Sequence, residues 1–366
     1  MTNASPRADL VMEGGGVKGM AFVGALDVLA RAQYRFPRIA GTSAGAIMGS
    51  LVAALQHAGE PLTRLRDIAA TLDLPRVTDS SAVGRALGPL HGIADAVSLL
   101  ATGGLHEGKY LRDWLTGVLG DLGVATFGDL RRTDPGSALP PEREYALVVV
   151  VSDLSDQRMS LLPWDYGHYG LDPDEQSVAD AVGASAAVPY VFRPVRLKTR
   201  PEGSASLVDG GLLSNYPITV FDHEDRADAR WPTIGIRLSA REHDPAVHAP
   251  VGNLFQVTSA LVETAVHGID RRHIDDPDAI ERTMFVDTSG LSALDFDQSP
   301  AQIARLVEAG RTAATKHLAR IAPDDDGAGG PPPHLRNPPA PFAHRPFAQA
   351  SSLRPMTSRC TWFVPS

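Results

Sequence analysis

Through residue 321 the chain alternates between short, dense apolar runs and longer segments whose apolar residues recur every three or four positions. DLVME (9–13) has strand length and stops at a cluster of glycines, and GMAFVGALDVLARA (19–32) has helical spacing. YRFPRIAG (34–41) is strand-like and runs into GTSAG (41–45). AIMGSLVAALQHAG (46–59) sets Ile47, Leu51 and Leu55 on one helical face, with Met48 and Val52 beside them. YALVVVVSDL (145–154) is a continuous apolar, β-branched run, as expected of a strand buried on both faces. PTIGIRLS (232–239) and RTMFVDT (282–288) are further strand candidates. SPAQIARLVEAGRTAATKHLARI (299–321) is the clearest helix: Ser299 suits the N-cap, Pro300 the first helical position, and Gln302 completes a capping box. Strands alternating with helices predict an α/β fold, a mainly parallel sheet with helices on both faces.

Two stretches break the pattern. Residues 71–110 carry scattered glycines and only a weakly amphipathic run, and read as an inserted cap or lid. From Ala322 the chain turns rich in Pro, Gly and Ala with neither helical nor strand period, so residues 1–322 are expected to form the folded domain and 323–366 a disordered tail. The chain carries a net charge of −9, but beyond Asp326 it has four arginines and no acidic residue. The first 326 residues therefore carry −13, which argues against a general nucleic-acid binder. One cysteine, Cys360, excludes an internal disulfide. No apolar stretch at the N-terminus has signal-peptide length, and AIMGSLVAAL is far short of the roughly 20 residues of a membrane span. A soluble cytoplasmic protein is expected, with membrane contact, where it occurs, only at the surface.

The glycines after DLVME raise the question of what anion they hold. GGGVKG (14–19) satisfies G-x-G-x-x-G, and a strand, a glycine turn and a helix are the parts of a dinucleotide site. That reading also needs an acidic residue about 20 positions on, at the end of the second strand. No Asp or Glu lies between Asp27 and Glu60, and no Lys-Ser or Lys-Thr follows to make a P-loop. GTSAG instead has the G-x-S-x-G form of a nucleophile elbow, between a strand and a helix, with Ser43 presented at the helix N-terminus. None of the histidines His57, His223, His267 and His273 has a recognisable catalytic context. In LVDGGLLSNYPI (207–218) a strand end delivers Asp209 onto a glycine turn.

Together EGGGVKGMAFVGAL, AGTSAGAIMGSLVA and VDGGLLSNYPI, in this order, resemble the patatin-like phospholipases, as does SVADAVGASAAVPYVFRPV (177–195) ahead of the aspartate. The resemblance spans about residues 8–320. It implies a three-layer αβα fold and a lipid acyl hydrolase of phospholipase A or lysophospholipase type working through a Ser-Asp dyad. Ser43 matches the nucleophile and Asp209 the proton acceptor. Gly14, Gly15 and Gly16 match the oxyanion loop, with Lys18 where the family has Arg or Lys and Gly19 closing the motif. Gly41 and Gly45 match the elbow, Gly210 and Gly211 the DGG turn. Glu13 stands where many relatives have Asp. The implied substrate is a phospholipid or another acyl lipid, and neither a metal nor a cofactor is expected. Two rival readings keep other chemistry open: a small-ester Ser-His-Asp esterase, and a nucleotide-binding protein using the glycine loop.

Overall fold

A computed structural model describes residues 5–77, 104–134, 139–222, 230–239, 276–291 and 293–321. Most of the lid candidate, His223, His267, His273 and the tail lie outside the described residues.

The centre is an eight-stranded sheet. β1 (Asp9–Met12), β2 (Ile39–Thr42) and β4 (Leu147–Asp153) are parallel neighbours, and β9 (Thr233–Arg237) and β10 (Thr283–Phe285) extend the parallel set beyond β1. Three strands joined by antiparallel pairings complete it. β5 (Arg158–Leu162) and β8 (Gly203–Asp209) both pair with β4, and β7 (Val195–Thr199) pairs with β8. Every residue of β1, β2 and β4 is buried, because helices and loops cover both faces and leave no solvent side to accept polar residues. The pleat then divides each strand. Leu10, Met12, Ile39, Leu147, Val149 and Val151 face a large core, while Val11, Ala40 and Val148 face a smaller one.

The large core lies under α1 (Met20–Arg31), α2 (Ala44–His57), α5 (Lys109–Asp121), α6 (Val178–Ser185) and α8 (Pro300–Ile321). Tyr216, Ile218, Phe221 and Ala279 of α7 (Pro277–Glu281) cover the other face. The short helix α3 (Leu65–Ala69) precedes the lid candidate, within whose bounds lie α4 (Leu74–Val77) and β3 (Gly104–His106), and β3 pairs with β6 (Tyr190–Phe192) in a separate two-stranded sheet. The result is the three-layer, mainly parallel α/β architecture.

One detail differs from the pattern-based expectation. β2 begins only at Ile39: Pro37 has no N–H for a ladder, and the Gln56 side chain takes both the N–H and the carbonyl of Phe36, each at 2.8 Å. In the loop after β5, Tyr166 and Tyr169 are buried, with Tyr166 edge-on to Phe127 and the Tyr169 hydroxyl donating to Asp153 at 3.0 Å. The cap of α8 forms as its sequence implies, Gln302 N–H donating to Ser299 Oγ (3.3 Å) and Ser299 N–H to Gln302 Oε1 (2.9 Å).

α1 and α8 touch backbone to backbone. A Cβ at Gly24 would run into the Val307 carbonyl, and one at Gly310 into the Ala21 carbonyl. Gly310→Val is therefore expected to lower unfolding free energy by about 2–3 kcal/mol. Gly117→Ala on α5, where a Cβ meets nothing, is expected to be neutral or to raise it by up to about 1 kcal/mol. Denaturant titration of both variants checks the pair.

Candidate active site

Ser43 occupies a sharp turn between β2 and α2. Its φ of 52° and ψ of −118° are sparsely populated for a side-chain-bearing residue, a strain of roughly 1–3 kcal/mol held by its surroundings. The flanking glycines make the turn feasible. A Cβ at Gly41 would strike the backbone of Gly45 and Ala46, and one at Gly45 would strike the carbonyls of Met12 and Glu13.

Asp209 reaches the same place from the opposite direction. β5 occupies one edge of β4 over Val149–Asp153, so β2 and β8 share the other edge. Thr42, the last residue of β2, pairs with Val150; Asp209, the last residue of β8, pairs with the next residue, Val151. One strand runs parallel to β4 and the other antiparallel, so their C-terminal ends meet head to head. The turn after Asp209 closes onto the same strand, where a Cβ at Gly210 would collide with the Val150 carbonyl.

Ser185, at the end of α6, fixes the junction. Its hydroxyl accepts from Ser43 N–H (2.8 Å) and donates to the Val150 carbonyl (2.7 Å), bridging the point where the β2–β4 ladder stops. Two residues on, the Ala187 carbonyl accepts Asp209 N–H at 2.9 Å. Thr42 Oγ1 adds a bond to the Ser214 carbonyl at 3.0 Å. Ser185 lies in the 177–195 segment singled out above, yet nothing in its own neighbourhood marks it, because both of its partners are distant in sequence.

The glycine loop lies against Ser43: a Cβ on Gly14 would stand 3.3 Å from that of Ser43. Gly14 N–H donates to the Asn215 carbonyl (3.0 Å), and Asn215 Nδ2 returns a bond to the Gly14 carbonyl (3.2 Å). Val17 N–H is taken by the Ala293 carbonyl and Lys18 N–H by the Gly15 carbonyl. Among the described residues, no hydrogen bond is made by the N–H of Gly15 or Gly16. Gly16 has φ +53°, and Gly19 packs where a Cβ would press on Ala44. Glu13 anchors the loop from behind, accepting Leu238 N–H at 2.5 Å and pairing with Arg237 at 3.2 Å, both carboxylate and guanidinium buried. Lys18 makes no ion pair among the described residues.

Burial dominates the electrostatics of Asp209 and pushes its carboxyl from 3.8 up to about 6. The Ser43 hydroxyl and the Gly211 N–H (2.7 Å) pull the other way, since both bond to the charged form. No described histidine plays this part. His57 is exposed at the far end of α2, and His168 pairs with Asp156 on the surface. Among the described residues no three His, Cys, Asp or Glu side chains converge as metal ligands, and no helix is long and apolar enough to cross a membrane.

Comparison with known proteins bears on this geometry. The model of the family described as "Patatin-like phospholipase" matches residues 10–222, from β1 through both strand ends to the segment after the DGG turn. The chain belongs to the patatin-like phospholipase family. Protein YqhO of Bacillus subtilis is 35% identical over 83% of this chain and 95% of its own length. Protein R571 of Acanthamoeba polyphaga mimivirus is 23% identical over 71% of this chain and 79% of its own. Among solved structures, VipD from Legionella pneumophila aligns with a TM-score of 0.47 and 18% identity, covering 85% of this chain and 66% of VipD. A patatin-like phospholipase is a hydrolase of lipid esters, and the family match takes in the glycine loop.

Ser185 generates the sharpest expectation for this patatin-like phospholipase. Ser185→Ala strands Ser43 N–H and the Val150 carbonyl, with a stability loss of about 1–3 kcal/mol. Because the Ser43 turn loses its brace, ester hydrolysis is expected to fall about tenfold or more, mainly in kcat, at temperatures where the variant is fully folded. Steady-state kinetics alongside circular dichroism at the same temperature checks both.

Proposed function

We propose that the protein is a phospholipase A or lysophospholipase working through a Ser43–Asp209 dyad and an acyl-enzyme. The observation that carries this reading is the buried contact of the Ser43 hydroxyl with the Asp209 carboxylate beside a glycine loop with unused N–H groups.

Asp209 takes the hydroxyl proton as Ser43 Oγ attacks the ester carbonyl carbon. The resulting oxyanion accepts the N–H groups of Gly15 and Gly16. Gly14 holds the loop, and Lys18 adds positive potential nearby. Collapse breaks the ester C–O bond; the leaving alkoxide takes the proton from Asp209, and the acyl group stays on Ser43. Asp209 then removes a proton from water, hydroxide attacks the acyl carbon, and Ser43 leaves with the proton returned by Asp209. Each oxyanion donor contributes roughly 3 kcal/mol to the transition state in enzymes where one has been removed.

The acyl chain finds apolar surface beside the dyad. Ala187, whose carbonyl holds Asp209, clusters with Val77 and Phe192, with Leu72, Tyr110 and Val188 packed around them. Residues 1–322 form the hydrolase domain in this reading, 71–110 its lid and 323–366 an appended tail. The enzyme works in the cytoplasm and meets its lipid at the membrane surface.

Fatty-acid release from mixed phospholipid vesicles without added metal tests the proposal. Ser43→Ala and Asp209→Asn are each expected to lose at least about 10³-fold in kcat, while every His→Ala variant retains activity. A histidine variant as inactive as Ser43→Ala would replace the dyad with a triad.

The elevated carboxyl gives a second expectation. Asp209 must be ionised to act, so kcat/KM is expected to fall tenfold per pH unit below about 6. Its stability effect has the opposite sense. The folded state holds the proton more tightly than the unfolded state (3.8), so stability declines as pH rises from about 4 through 6. Above pH 7 the charge costs roughly 3 kcal/mol. Asp209→Asn is therefore expected to raise the melting temperature at pH 8, with a gain that shrinks as pH approaches 5. Thermal scans across that range check it.

A further inference from the structure

A cavity of about 490 Å³ opens at the end of the sheet opposite Ser43. It lies under the N-terminal ends of β1, β2 and β4, with Gln56 and His57 from the last turn of α2 at its rim. α2 begins just after Ser43 and has 14 residues, so about 20 Å of helix separates the cavity from the nucleophile. Four arginines line it, Arg7, Arg35, Arg131 and Arg132, with Asp129 as the only carboxylate among its lining residues. This concentration runs against a chain whose net charge is −9.

Two of the four arginines are engaged by the protein itself. Arg131 is held by Asp174 at 3.0 Å, and Arg132 donates to the Pro37 carbonyl. Asp129 Oδ2 is occupied by the N–H groups of Ala125 (2.8 Å) and Thr126 (2.9 Å), which tie it to its own turn. Arg7 and Arg35 make no ion pair among the described residues. They are also directly opposed: a parallel β-bridge joins them, with Ala8 N–H donating to the Arg35 carbonyl (3.1 Å) and Arg35 N–H to the Pro6 carbonyl (2.9 Å). Like charges set opposite each other across a bridge repel; both side chains are exposed, and the Arg7 guanidinium lies 5.9 Å from the centre of the Trp231 ring. The floor beneath, formed by Phe36, Ala53, Leu130 and Ala146, is apolar. The cavity volume suits a small molecule, and guanidinium groups match phosphate oxygens in geometry and charge.

We propose that this cavity binds a soluble small molecule bearing two or more phosphate charges, held chiefly by Arg7 and Arg35. A lipid headgroup carries the same chemistry. However, a bilayer docked here would stand a helix length away from Ser43 on the far side of the sheet, so the soluble source is the one assigned.

The test uses the full chain and inorganic pyrophosphate, titrated calorimetrically at low salt. Saturable binding of one pyrophosphate per chain is expected, weakened at least tenfold in the Arg7→Ala, Arg35→Ala double variant and unchanged in Ser43→Ala. Vesicle hydrolysis by the double variant should remain at the wild-type level, which shows that the fold and the active site are intact. Binding that is absent, unsaturable or indifferent to the two substitutions overturns the proposal. So does a wild type that ignores pyrophosphate but sediments, in an Arg7- and Arg35-dependent way, with phosphatidic acid vesicles and not with phosphatidylcholine vesicles. That outcome would make the face a membrane contact.

Discussion

One edge of β4 accommodates two strands at once. β2 uses it up to Val150 and β8 takes it from Val151; β8 ends in Asp209, and Ser43 follows directly on Thr42, the last residue of β2. The separation of the two strand ends is set by consecutive peptide units of a buried strand. Everything around the junction serves to keep it closed. Ser185 bridges the interrupted ladder, Ala187 holds Asp209, and glycines stand wherever a Cβ would keep the two turns from the backbone below. The all-apolar strand LVVVVSD is thus both core and template.

That placement has an electrostatic consequence. A carboxylate at the meeting point of two buried strand ends loses most of its water, and burial outweighs the two hydrogen bonds that favour its charge. A free aspartate is a poor base for a serine hydroxyl. With the carboxyl near 6, Asp209 stays mostly ionised at neutral pH while being about a hundredfold more basic than a free aspartate. The stability given up to burial and the base strength gained have one origin, the loss of water around the Asp209 carboxyl.

Much of this was legible in the chain. The positions of β1, β4, β9, β10, α1, α2 and α8 followed from apolar period, and GTSAG and VDGG carried their strand-turn context with them, whereas β5, β7 and α6 gave no such signal. What stayed hidden was long-range pairing. Nothing near Asp209 reveals that β8 runs antiparallel and ends beside Val151, nor that Asn215 claims the N–H of Gly14 across some 200 residues. Glu13 reads as a small departure from a family pattern, whereas in the fold its carboxylate joins the loop to β9 through Arg237 and Leu238. The arginine cavity was equally invisible, since its lining comes from stretches around residues 7, 35, 56 and 131 that are far apart in the chain.

The glycine loop shows why a G-x-G-x-x-G string alone does not determine its ligand. A pyrophosphate cradle needs several free N–H groups and open space over them. Here Gly14, Val17 and Lys18 spend their N–H groups on the protein itself, and the Ser43 side chain stands over the turn. Among the described residues the N–H groups of Gly15 and Gly16 make no hydrogen bond; two donors are too few for a diphosphate and the number an oxyanion hole commonly uses. A single oxygen carrying one developing charge, reached from a serine a few ångströms away, is the ligand that this loop geometry fits.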